Sequence, residues 1–189
     1  MTPKELDKFN PLTAKNIDEA ISWYEKTIAE VKISDDCIGV ELLTFVKRNN
    51  TNPIGPYQKI TFFEAANRIM SDLVILHGVK WLLDQYSTEI PQFHVEYGNA
   101  NKNSFDIMGP TTEAPLLVGE AFNVAPSFFK GKRSRMLKKL RDDSCTAPTR
   151  FILVNTDAVD ENYTEDLIPN EYTLLVDIEN GNCRLAEKK

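Results

Sequence analysis

Ser104-Phe105-Asp106-Ile107-Met108 and, beyond a turn containing Pro110 and Pro115, Leu116-Leu117-Val118-Gly119-Glu120-Ala121-Phe122-Asn123-Val124 read as two strands, each with one acid among apolar residues. Side chains alternate across a strand, so Asp106 shares a face with Ser104 and Met108, and Glu120 shares one with Phe122. A carboxylate inside a sheet is costly to bury without a partner, so these two positions need an explanation. If the strands are neighbours, both acids meet at one edge of the sheet and can share a hard cation such as magnesium through oxygen ligands.

The pattern around these strands extends the sheet. Residues 92–97 are strand-like and are joined to 104–108 by the polar connection Gly98-Asn99-Ala100-Asn101-Lys102-Asn103, which predicts a hairpin. Thr61 and Glu64 form a capping box that opens a long helix reaching about Tyr86, with Phe62, Ala66, Ile69, Leu73 and Leu76 as its apolar stripe. After Pro126 a basic helix is expected to begin near Lys132, and 150–155 and 172–178 are apolar and β-branched enough to be buried strands. Strand, helix, strand favours a parallel crossover, so the sheet should be mixed. Further upstream, 16–32 and 35–47 carry helical spacing, with Asn16 and Glu19 resembling a cap, and 48–59 reads as a surface loop. The prediction is an α/β chain of one domain over 1–189, with a helical N-terminal extension at 1–59 and a core at 60–178 whose mixed β-sheet is flanked by helices.

Composition narrows the function classes. The 189 residues are 42% hydrophobic and 26% charged, which disfavours disordered and coiled-coil classes. No apolar run approaches the roughly 20 residues needed to span a bilayer, Met1-Thr2-Pro3-Lys4-Glu5 lacks the start of a secretion signal, and Cys37, Cys145 and Cys183 have no paired spacing. A cytoplasmic protein without a membrane contact is expected. Net charge is −6, yet Lys130, Lys132, Arg133, Arg135, Lys138, Lys139 and Arg141 form an island with no acid between them. Such an island is either a solvated helix face or an anion and nucleic-acid contact.

The order of elements and the two acids resemble the PD-(D/E)xK superfamily, the fold of restriction endonucleases and many DNA repair nucleases. Phe105-Asp106 stands for the family's Pro-Asp pair and Glu120-Ala121-Phe122 for its acid-x-lysine triplet, over roughly 60–178. The resemblance implies DNA as partner, a possible homodimer, and magnesium-dependent phosphodiester hydrolysis, with Asp106 and Glu120 as metal ligands and Glu64 as the helical carboxylate some members add. It also implies phosphate contacts from Lys130, Lys132, Arg133, Arg135, Lys138 and Lys139 on the crossover helix. Phe122 occupies the lysine position and can neither orient water nor offset phosphate charge. Lys130, Lys132, Arg133 or Lys102 is then expected to supply that cation, with Lys132 as the candidate catalytic residue.

The alternatives are structural. Asp106 can be a strand-end residue bonding loop backbone, Glu120 can pair with an arginine of the basic helix, and Glu64 can be only a cap. A fold of this type can also persist as a binding or assembly module without hydrolase activity. The helices of the first sixty residues are expected to cover one face of the sheet rather than to form a dimer surface.

Overall fold

The computed structural model describes residues 5–33, 37–98, 104–142, 147–166 and 168–189. Its frame is a seven-stranded mixed sheet with the order β1-β2-β3-β4-β5-β7-β8. The strands are β1 (Leu12–Thr13), β2 (Gln92–Val95), β3 (Ile107–Gly109), β4 (Leu117–Phe122), β5 (Thr149–Asn155), β7 (Glu171–Val176) and β8 (Cys183–Leu185); β6 (Thr164–Glu165) and β9 (Glu187–Lys188) pair separately. β2, β3 and β4 form an antiparallel meander, and β4, β5 and β7 run parallel. The mixed sheet follows because β4 is joined to β5 by a helix, which returns the chain in the same direction.

Two apolar layers fix the helices to this sheet. On one face α1 (Ile17–Ile28) and α3 (Phe62–Tyr86) bury Ile21, Tyr24, Leu73, Leu76 and Leu83 against Phe93, Leu117, Phe151, Leu153 and Leu174. Gly78 lets α3 come close, since a Cβ there would collide with the Leu153 side chain. On the other face α4 (Pro126–Asp142) packs Phe129, Leu137 and Leu140 over Met108, Val118, Phe122, Ile152 and Val154. Pro126 is the first residue of α4, not a stop before a helix starting near Lys132, because its missing N–H and fixed φ suit a first helical turn.

Other local differences have similar causes. Asn16 does not cap α1; its side chain accepts from the Thr13 amide and donates to the Phe9 and Pro11 carbonyls, bracing the preceding turn. Thr61 does cap α3, accepting from the Glu64 amide at 3.2 Å. α2 (Gly39–Arg48) forms, but it contributes no buried residue, so of the N-terminal helices it is α1 that joins the core, packing on α3. No helix among the described residues is long and apolar enough to cross a membrane.

Candidate functional site

Register brings the acids together. Val95 pairs with Ile107 and Ile107 with Gly119, so one step further along each strand Glu96 stands opposite Asp106, and Asp106 opposite Glu120. The Glu96 amide donates to the Asp106 carbonyl at 2.8 Å, which carries the pairing past the ends of β2 and β3. From Glu120 the row continues into Ile152 and Thr173 on β5 and β7, on the face covered by α4, whereas Glu96 and Asp106 also line a cavity toward α3. Glu96 and Glu120 are buried and Asp106 is half-buried.

Each acid has a partner. The Asp106 carboxylate accepts from the Ala121 amide at 2.9 Å, bonding the β4 backbone just before β3 begins. The Lys139 ammonium donates to Glu120 Oε1 at 2.6 Å, reaching down from α4. That partner is a lysine, where the arginines of the basic helix were the expected structural partners. Burial is the leading cause that raises both carboxyls above their ordinary values. The Asp106 charge raises Glu120 further, and the Glu96 charge raises Asp106; Lys139 opposes both shifts, and Lys132 also opposes that of Asp106. The two acids therefore feel each other's charge, and a cation placed beside them would relieve the repulsion.

The remaining predicted residues fall in different places. Lys132 lies over the Phe122 ring, 5.7 Å from its centroid, and within electrostatic reach of Asp106. Arg133 turns toward the sheet, donating to Glu165 at 2.5 Å and Thr173 at 3.2 Å, and so does not present its guanidinium to a phosphate. Arg141 is bidentate to Glu171. Three of the seven basic residues in the island thus tie α4 to acids elsewhere in the fold, and Lys130, Arg135 and Lys138 are exposed. Glu64 is engaged with Arg68 at 2.5 Å, one turn along α3. No three His, Cys, Asp or Glu side chains among the described residues are grouped as ligands for one ion, so the set Asp106, Glu120 and Glu64 is not assembled. Lys102 and Cys145 lie outside the described residues.

Two contributors escaped the sequence reading. Glu96 is an acid inside a strand-like stretch, and the reasoning that singled out Asp106 and Glu120 applies to it equally. Lys139 was legible only as one of seven cations, because which of them lies over Glu120 depends on how α4 is rotated. Part of that rotation is set at the start of the helix, where the Asn155 side chain accepts from the Val124 amide and donates to the Val124 carbonyl, holding the chain just before α4 to the end of β5.

Behind the acids, toward α3, lies a cavity of about 10 Å³ lined by Arg68, Ser71, Asp72, Glu96, Asp106 and Ala121 among others. It has room for roughly one water molecule. Its deepest acid, Asp72, accepts from the hydroxyls of Tyr24 and Tyr57 and from the Gly98 amide. No protein-family model, curated protein or solved structure matches this chain.

Proposed function

We propose that the chain has a restriction-endonuclease-like core and hydrolyses phosphodiester bonds of DNA with the help of magnesium. The observation that carries the reading is the placement of Asp106, one residue before β3, close enough to Glu120 of the neighbouring β4 for its charge to act on it, with the Lys139 ammonium 2.6 Å from Glu120. The order long helix, three-strand meander, helix, parallel strand supports the same reading.

Magnesium is commonly bound by one or two carboxylates, completed by water and substrate phosphate, so a pair of acids suffices without Glu64. Asp106 and Glu120 would hold the ion, which would neutralise developing charge on the phosphoryl oxygens. Lys139 fills from α4 the role that Phe122 cannot. Its ammonium can hydrogen-bond a phosphoryl oxygen or orient the attacking water, and Glu120, raised by its buried setting, can take a proton from that water. Lys130, Arg135 and Lys138 would carry the phosphate backbone, with Lys132 between them and the acids.

Supercoiled plasmid incubated with and without magnesium tests this, beside Asp106→Asn, Glu120→Gln and Lys139→Met. Cleavage that requires magnesium and is lost in all three variants is expected; cleavage unchanged in the Asp106 and Glu120 variants would remove the proposal. One observation favours a second reading, a binding module without hydrolysis: the Lys139 ammonium already neutralises a Glu120 that is only 3% exposed. Salt-dependent DNA binding with no cutting at any magnesium concentration would select it.

A further inference from the structure

α2 is poorly accounted for by the packing of the chain on itself. Leu42, Phe45 and Val46 make a half-buried stripe, and α2 packs on α3, but no residue of the helix is buried. A second apolar stripe faces outward: Val40 is 80% exposed and Leu43 65%, and Ile38, just before the helix, is 77% exposed. Lys47 continues this stripe one turn after Leu43, and its ammonium lies 3.5 Å from the ring centroid of Phe63, itself 47% exposed. Four of the eight large exposed hydrophobic side chains among the described residues therefore gather on one small surface, which is the signature of a contact and not of scatter.

We propose that this surface docks a second copy of the chain, with the two α2 helices antiparallel across a two-fold axis. The charge pattern selects this occupant. A two-fold interface must be complementary to itself, and α2 carries Glu41 in its first turn and Lys47 and Arg48 in its last. Antiparallel pairing sets Glu41 of each copy beside Lys47 and Arg48 of the other and aligns the helix dipoles head to tail. Leu43, near the middle of the helix, then lies close to the axis. Beside it a groove of about 450 Å³, lined by Cys37, Val40, Thr44, Phe45 and Arg48 among others, offers a seat for Leu43 of the other copy. The chain as a whole carries −6, so most approaches between copies are repulsive, whereas α2 carries two cations and one acid. The proposal does not depend on the catalytic reading.

Sedimentation of the full chain over a wide concentration range tests it, using the wild type, Leu43→Glu, Glu41→Lys and the double variant Glu41→Lys/Arg48→Glu. The wild type should pass from monomer to dimer in the micromolar range, and Leu43→Glu should remain monomeric. Glu41→Lys should weaken association at least tenfold, and the double variant should recover part of that loss. Far-ultraviolet circular dichroism, and the melting temperature measured at concentrations where the wild type is monomeric, should be unchanged in every variant, since these side chains are exposed in the monomer. A wild type that is monomeric throughout, a Leu43→Glu variant that still dimerises, or a double variant no better than Glu41→Lys would overturn the proposal. So would binding of the monomer to lipid vesicles through the same residues, which would assign the surface to a membrane instead.

Discussion

Asp72 holds together the scaffold behind the paired acids, and its replacement by asparagine has a calculable consequence. Only 1% exposed, it accepts from the Tyr24 hydroxyl at 2.8 Å, from the Tyr57 hydroxyl and from the Gly98 amide at 3.1 Å. One carboxylate thus joins α1, the loop before α3, α3 itself and the turn after β2. Burial raises its pKa from 3.8 to about 7, outweighing the three hydrogen bonds that favour the charged form. The folded protein therefore keeps the Asp72 proton up to about pH 7, while the unfolded chain releases it near 3.8. Between those values the native state binds more protons, so stability falls as pH rises through the window and levels off above it. The whole loss is about 4 kcal/mol. Asp72→Asn keeps the size and removes the titration. It also replaces an acceptor by an amide that cannot accept on both sides, a cost of about 1–3 kcal/mol. Urea unfolding at about pH 4.5, 6 and 8 gives both quantities. The wild-type advantage over Asp72→Asn should shrink by a few kcal/mol from the lowest pH to the highest. Asp106 and Glu120 titrate in both proteins and cancel in this difference. A difference that stays constant with pH would refute the argument, because it would mean that the carboxyl does not titrate in that window.

Lys139→Met strands the Glu120 charge in a buried setting and should cost about 1–3 kcal/mol at pH 8, less than the roughly 3–5 kcal/mol of breaking a fully buried pair because Lys139 is 42% exposed. The cost should fall toward zero in acid, where a Glu120 already raised by burial is neutral with or without the lysine, and urea unfolding at the two pH values measures it. Gly78→Ala drives a methyl into Leu153, beneath the closest approach of α3 to the sheet, and should destabilise by about 1–3 kcal/mol in thermal unfolding.

The sequence made the longest elements legible because each of their signals is local. A Thr61 cap and a continuous apolar stripe announce α3, and runs of apolar, β-branched residues announce β5 and β7. The pieces that were not legible are short and depend on distant partners. β1 has two residues and exists because Leu12 and Thr13 pair with Phe93 and Gln92, some eighty positions away. β8 is partly exposed and polar, and the β7 edge alone makes it a strand. The same distinction governs the site. The acids could be singled out because a charge within an apolar strand violates a local expectation, but the cation could not, since every lysine on α4 fits its helix equally well. Register and helix rotation decide between Lys132 and Lys139, and neither is written in any one segment.

Phe122→Lys sets motif against packing at one position. Judged by motif alone, it restores the missing lysine two residues after Glu120 and should enhance cleavage. Judged by packing, it should fail. Phe122 is only 4% exposed and belongs to the layer formed with Phe105, Val118, Phe129 and Val154 beneath α4. A lysine there forfeits the packing of a large aromatic ring, about 3–5 kcal/mol when such a side chain is truncated in a core. Its ammonium would have to reach Glu120, which Lys139 already occupies, with Lys132, which lies over the ring it replaces, adding like-charge repulsion. The expected outcome is a protein destabilised by about 3 kcal/mol or more in urea unfolding, with no gain in plasmid cleavage. Pairing the change with Lys139→Met vacates the Glu120 oxygen and should recover part of the stability lost. A Phe122→Lys protein as stable as the wild type and faster on plasmid would show that β4 can accept its own lysine, and Lys139 would then lose its claim to the site.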